Sequence, residues 1–555
     1  MYQLFSRLLI IAILCLQGYT PYSQTVSETD KTAMLCRIWG FLKYYHPVVA
    51  HSGYNWDQVF TAQYKAIEHI NTKEELDKHF LYWINSLGDV SAFPTQATAY
   101  DTACNFNTSM AWQTDSALLP ELAATLQNIV LHRATGKKLF VRPQPVNGAA
   151  EFTNEKPYRD MKDPEKDYRL LALARYWSMI EYFFPYKYKT DQQWDSVLTE
   201  MIPVFANASD TETYAHALTQ LISKVNDSHA NITNPDGVGV GFKLYRMPVK
   251  FKVFPDKAII TELLNEKIAA ANDLRVGDVI LSVNDTPVTD QIKYKGALIG
   301  ASNEAVVRRN LAMILLNGKT KEITADIERD GVTTTRTIKR YTYEEINYIV
   351  PKKQVEPSYK RLTPIIGYVN MGSLKAKEVK KVLGSFSDMH AIIFDLRSYP
   401  NWTIYEICNY LAAEKTPFVK SISPDINYPG KYLCNDATTY GDKKEAPYKG
   451  KIIVLINEQT QSRAEWTTMA LRALPNSICI GSQTAGADGN VSRITLPGNY
   501  QVWMTGLGVY YPDGRETQRI GIKPDVYVEP TVDGMRQNKD EVLERAIMIA
   551  EGSSN

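Results

Sequence analysis

The sequence predicts a multidomain α/β protein with helical N-terminal modules, a β-rich middle segment and a C-terminal α/β domain. Three observations carry this reading. Two stretches of amphipathic helix, around residues 37–57 and 175–195, repeat without gaps at an offset of 138 residues. In the middle, Leu274-Arg-Val-Gly277-Asp278 forms a turn that opens the alternating run Val279–Val283. Near the C-terminus the apolar runs Ala391–Phe394 and Lys451–Asn457 read as buried strands, and the second leads through a polar turn into an amphipathic helix, Ala464–Leu474. At 555 residues and 44% hydrophobic, the chain has material for three or four domains. Its net charge of +1 gives no bias toward nucleic acid.

Taken in order, the N-terminus places Arg7 ahead of the apolar run Leu8–Leu16 and then small and polar residues through Ser23-Gln24, the pattern of a cleavable signal peptide over 1–23. Secreted or periplasmic localisation follows from it. The run is too short for a transmembrane span, and no later segment approaches twenty apolar residues. Cys15 follows Leu14, which is too large for a good lipoprotein signal. After cleavage five cysteines remain, at 36, 104, 408, 434 and 479, an odd and scattered set that predicts neither a disulfide framework nor a metal site. No phosphate-binding glycine loop or metal-binding motif occurs, so neither a cofactor nor a metal is expected.

The repeat sets the helical modules at 24–150 and 151–244. Arg37-Ile-Trp39 through Pro47 matches Arg175-Tyr-Trp177 through Pro185, Trp56-Asp57 matches Trp194-Asp195, and Asp89 matches Asp227. Ser228-His229 of the second copy falls on Val90-Ser91 of the first. Only the second copy carries a histidine there, and the first reads as a catalytically silent duplicate. The β-rich segment occupies 245–345 and the C-terminal domain 346–555.

Ser462 stands on the strand-to-helix turn Asn457-Glu-Gln-Thr-Gln-Ser462-Arg463-Ala-Glu465. A serine in that place sits at the positive end of a helix, where the Arg463 amide is free to bind an oxyanion. Around it, in order, lie Asp395-Leu-Arg397-Ser-Tyr-Pro400-Asn401, the Ser462 turn, Gly481-Ser-Gln-Thr484-Ala-Gly486, and Tyr511-Pro-Asp-Gly514-Arg515 running to Gly521-Ile522-Lys-Pro524-Asp525. This order resembles the tail-specific, or C-terminal processing, serine peptidases, a family that includes the core of tricorn protease, over roughly Tyr168 to Val528. The resemblance implies a PDZ-like domain at 245–345 and a ClpP/crotonase-like peptidase domain at 346–555, with polypeptide substrates.

Departures from the family pattern narrow the mechanism. The lysine base of the Ser/Lys branch lies twenty-five residues after the nucleophile; here that position is Ala487, and no lysine occurs between Ser462 and Gly521. A serine hydroxyl needs a neighbouring base. The tricorn-like branch carries a Ser-His pair ahead of its PDZ domain, which implies His229 as base with Ser228 beside it. Gln518 aligns with the carboxylate of triad-type relatives and is expected to accept the histidine N–H; Glu516, on the same strand face, is the alternative. The Arg463 and Asn401 amides are the expected oxyanion donors, although relatives usually place glycine at position 401. The resulting expectation is a Ser-His endopeptidase with PDZ-assisted substrate binding. The other reading is a decayed peptidase fold that serves as a peptide- or ligand-binding module, since retinoid-binding proteins of the eye contain modules resembling this fold.

Overall fold

The computed structural model describes residues 25–101, 104, 112, 118–233, 244–342, 344–346, 357–441 and 447–552; the expected signal peptide lies outside them. The chain divides into two compact units, 1–98 with 109–136, and 99–108 with 137–555. The hairpin of Val141–Pro143 and Ala150–Phe152 belongs to the second unit.

The first unit is helical. Its opening helix, Glu28–Tyr45, starts where the Ser27 hydroxyl accepts the Asp30 N–H at 3.1 Å, with two acids in the first turn to meet the positive helix end. It stops just before Pro47, as the restriction on residues preceding proline requires. Trp39 and Trp56 then exchange hydrogen bonds: each indole N–H donates to the other residue's carbonyl, at 2.9 and 3.1 Å.

The second unit opens with the same arrangement. Helices Lys166–Phe183 and Trp194–Asn207 are joined by Trp177 and Trp194, whose indoles donate to each other's carbonyls at 3.1 and 3.0 Å. The repeat is therefore structural as well as sequential. It extends to the acidic turn: Asp89 accepts the Ser91 N–H at 2.8 Å, and Asp227 accepts the His229 N–H at 3.2 Å.

Residues 249–339 form an antiparallel sheet ordered Val249–Val253, Ala258–Leu263, Val279–Val283, Glu322–Arg329, Val332–Lys339, with the short strand Thr286–Pro287 beside Val279–Val283. Helices Val288–Gly296 and Glu304–Ile314 pack on it, and Ala258, Ile260, Ile280, Leu311 and Ile327 fill the space between.

The C-terminal domain is built on a six-stranded sheet ordered Tyr359–Thr363, Ile366–Asn370, Ala391–Asp395, Lys451–Ile456, Ser477–Gly481, Val526–Tyr527, parallel beyond the first pair. Alternate residues serve two cores. Ile392, Phe394, Ile452 and Val454 meet Val382, Ile407 and Leu471 of three helices on one face; Ala391, Ile393, Ile453 and Leu455 meet Val542 and Ala546 of the last helix on the other. Strands buried on both faces explain why the two runs are apolar throughout. Outside this sheet, Val491–Leu496 and Tyr500–Thr505 form a hairpin that Ile232–Thr233 extends as a third strand, pairing Ile232 with Val502. The segment just after His229 is thus fixed to the C-terminal domain by strand addition.

Trp177→Phe leaves the buried Trp194 carbonyl without its donor, and the expected cost is about 1–3 kcal/mol. It is read as a lower urea midpoint of the second unit, with Trp39→Phe as the matched change in the first; equal midpoints for Trp177→Phe and wild type would mean the indole bond contributes nothing.

Candidate active site

Parallel α/β sheets place their reactive groups beyond the carboxyl ends of the strands, and the turn after Lys451–Ile456 lies there. It is braced from inside: the Thr460 hydroxyl donates to the Leu396 carbonyl at 2.9 Å and accepts the Asn457 N–H at 3.1 Å. Ser462 follows with φ 58° and ψ −122°, a conformation that costs a non-glycine residue on the order of 1–3 kcal/mol and persists only where its surroundings enforce it. Its N–H donates to the Ala487 carbonyl at 2.9 Å. Helix Arg463–Arg472 begins at the next residue, and among the described residues the Arg463 amide has no partner.

Glu465, fully buried, holds this turn in place. One carboxylate oxygen accepts the Thr484 hydroxyl at 2.5 Å and the Gly486 N–H at 2.7 Å; the other accepts the N–H groups of Ala487 at 2.9 Å and Ser462 at 3.3 Å. Gly486 has φ 66° and an added Cβ would lie 3.0 Å from the backbone of residues 519–521, so only glycine lets the two loops meet. Asp488 is buried beside Glu465 without a hydrogen bond on either oxygen, since the nearby Thr517 hydroxyl is spent on the Val509 carbonyl at 3.0 Å. Burial raises both carboxyls, Asp488 well above its ordinary range, and the donors around Glu465 pull that group back.

The imidazole arrives from the second helical module. Gln461 Nε2 donates to the Ser228 carbonyl at 3.1 Å, which ties the residue before Ser462 to the residue before His229. His229 Nδ1 lies 2.9 Å from the Thr505 hydroxyl, and that hydroxyl donates to Asp227 at 2.8 Å. Asp227 also accepts the Thr505 N–H at 2.6 Å and Gln518 Nε2 at 3.0 Å. The chain His229–Thr505–Asp227–Gln518 fixes the ring through Nδ1, and Nε2 has no hydrogen bond among the described residues. Burial lowers the His229 pKa from 6.5, the Asp227 charge raises it and Arg309 lowers it further, with burial the largest effect. Burial thus favours the neutral ring.

Several expected roles change in this geometry. Gln518 does not accept the imidazole N–H; it donates to Asp227, and its own buried oxygen has no partner. Glu516 is not an orienter: it pairs with Lys189 at 2.5 Å and with the Tyr188 hydroxyl, and the segment 515–521 is a turn with an isolated bridge at Glu516, not the expected strand. Ser228 does not touch the ring either. Its hydroxyl donates to the Ala485 carbonyl and accepts the Ser302 N–H, both at 2.9 Å, while its N–H donates to the Ser302 hydroxyl at 2.9 Å, so it pins the histidine loop between two neighbouring segments. The Asn401 amide is committed to the Met371 carbonyl at 3.3 Å and is not available to an oxyanion; in the same turn the Trp402 amide is unpaired among the described residues. Thr505 was missed because a threonine at a strand end carries no signal, whereas Asp227 was marked by the repeat. The cysteine expectation also changes: Cys104 and Cys434, 330 residues apart with Cα atoms at 5.7 Å, form a disulfide, and Cys36, Cys408 and Cys479 stay buried as thiols.

Residues 365–528 match the peptidase family S41 model, and residues 233–294 match the PDZ domain model. No curated protein matches the chain. Among solved structures, mature CPAF aligns at 14% identity with a TM-score of 0.54, and mature CPAF complexed with lactacystin at 15% and 0.53; each covers 70% of this chain and 99% of its own. The photosystem II D1 C-terminal processing protease aligns at 15% identity and a TM-score of 0.38, over 66% of this chain and 96% of its own.

Because the folded-state pKa of Asp488 is raised, its protonated form stabilises the fold below the ordinary carboxylate range, and that stability is lost as pH rises toward the folded value. Asp488→Asn, which mimics the neutral acid, is expected to match wild type near pH 4 and to be increasingly more stable from there to pH 8, measured as the difference in thermal midpoints. A constant difference across that range would place an ionised Asp488 in the fold.

Proposed function

Because this chain is a serine peptidase of family S41 with a PDZ domain ahead of its peptidase domain, we propose that it is a secreted or periplasmic endopeptidase that cleaves polypeptides by a Ser-His mechanism. The observation that carries the reading is the joint placement of a strained Ser462 beside an unpaired Arg463 amide and of a neutral His229 held by Thr505 and Asp227. A scaffold with only a binding role has no need of both.

In this mechanism the Ser462 hydroxyl attacks the peptide carbonyl while His229 Nε2 takes its proton, then returns it to the leaving amine. Hydrolysis of the acyl-enzyme repeats the steps with water. The Arg463 amide, at the positive end of its helix, receives the oxyanion. Asp227 stabilises the imidazolium through the Thr505 hydroxyl, and Gln518 keeps that carboxylate oriented. The PDZ domain binds an extended segment of substrate by strand addition. Export is supported by the leader sequence and by the Cys104–Cys434 pair, which suits an oxidising compartment. Among the described residues no helix is long and apolar enough to cross a membrane.

A serine-directed fluorophosphonate is expected to label wild type at Ser462 and to label neither Ser462→Ala nor His229→Ala, with peptide cleavage lost in parallel. Cleavage that survives Ser462→Ala would move the nucleophile elsewhere; a folded wild type that neither labels nor cleaves unfolded polypeptides would favour the binding-module reading.

The acid limb of kcat/KM is expected below pH 6.5, since protonation of a base with a lowered pKa removes activity only at lower pH. Gln518→Glu, which sets a second carboxylate against Asp227, is expected to lower kcat about tenfold or more, and Thr505→Val to lower it about a hundredfold by unseating the ring. An active Gln518→Glu enzyme would mean position 518 faces the imidazole directly.

A further inference from the structure

Resting on Ser462 as nucleophile, we propose that the Arg463 side chain selects substrates with a carboxylate beside the scissile bond, supplied either by an acidic residue or by a free C-terminus. Its guanidinium carbon sits 4.3 Å from the Trp402 ring centre and 5.2 Å from that of Tyr399, and Nη1 donates to the Pro400 carbonyl at 3.3 Å. The plane of the cation is thus fixed by two aromatic faces and one carbonyl. Tyr399 and Trp402 are each 54% exposed, so the platform opens to solvent where substrate must pass.

The cation lacks a counter-charge. In the same domain Arg397 pairs with Asp395 and Asp540, Arg472 with Asp525, Arg515 with Asp513, and Arg519 with Asp191. Arg463 has no carboxylate partner among the described residues, and its buried Nε has no hydrogen bond. The nearest acid in sequence, Glu465, is fully spent on Thr484 and three backbone amides.

A partly buried guanidinium with no acid is costly to keep unless something completes it. Stacking on aromatics offsets part of that cost and leaves Nη2 without a hydrogen bond among the described residues, positioned one residue from the nucleophile. A planar, preorganised cation of this kind prefers a carboxylate over a neutral amide because the charge-assisted bond is shorter and stronger. Bound substrate would supply the missing partner and, by doing so, hold its adjacent carbonyl over the Ser462 turn.

The test is kcat/KM for one peptide scaffold, with Glu, Gln or Lys in turn at each position flanking the cleaved bond, and separately with a free or amidated C-terminus. Wild type is expected to prefer the acid over the matching amide about tenfold or more in one of these arms, which identifies the source of the carboxylate. Arg463→Gln is expected to bring that ratio close to one, and Arg463→Glu to invert it in favour of Lys. Fluorophosphonate labelling of each variant reports that the nucleophile is assembled; Arg463→Lys, which keeps the charge, is expected to retain part of the ratio and stands in where the other changes prevent folding. A wild type without preference in any arm overturns the proposal. So does a variant set in which all peptides slow together with the ratio intact, because that is the signature of a side chain that only braces the 399–402 turn. Failure of Ser462 to label would instead remove the mechanism itself, with the ratio in wild type still readable.

Discussion

The Asp227 carboxylate is the contact on which the rest of the site depends. Fully buried, it is met by donors from three separated stretches of chain: the Thr505 N–H and hydroxyl, the Gln518 amide and the His229 N–H. An ion of this kind costs several kcal/mol to bury unless its lone pairs are matched. Matching them requires the helical module, the Tyr500–Thr505 strand and the 515–521 segment to be in place together. The imidazole is therefore positioned only when residues nearly three hundred apart have folded as one, and the strand pairing of Ile232 with Val502 secures the same junction through the backbone.

The Ser462 turn solves a parallel problem by a different carboxylate. Glu465 gathers the N–H groups of Ser462, Gly486 and Ala487, which holds Ser462 in a backbone conformation that the residue does not adopt by preference. Ala487, at the position where the Ser/Lys branch keeps its lysine, contributes through its backbone alone: its N–H binds Glu465 and its carbonyl binds Ser462. Its side chain is fully buried, next in sequence to the buried Asp488.

Much of the architecture was legible because it rests on local rules. The apolar runs at 391 and 451 are strands within one residue of their expected ends, since burial on both faces leaves no polar position to blur them. Ser462 was visible from a strand, a polar turn and a helix in succession. What could not be read is what depends on pairing across distance. Thr505 meets the His229 ring only because a hairpin folds back on Asp227; Gln518 points at that acid and not at the ring; Cys104 meets Cys434 across 330 residues. Asn401 looked like an oxyanion donor because the turn was right, but whether an amide points inward is decided by its competitor, here the Met371 carbonyl.

The duplicated module separates scaffold from chemistry. Both copies keep the exchanged indole–carbonyl bonds and the acid that caps the following turn, so these belong to the stability of the helical pair. In the first copy the capped amide is that of Ser91; in the second it is that of His229. The acid that closes a simple turn in one place thereby holds, in the other, the segment that carries the His229 imidazole. What converts it is supplied by the C-terminal domain: Thr505 inserts its hydroxyl between carboxylate and ring, and Gln518 fills the carboxylate's remaining side. The second copy differs by a histidine at the capped position and by a strand that docks on the C-terminal domain, and the two lie within four residues of each other, at His229 and Ile232–Thr233.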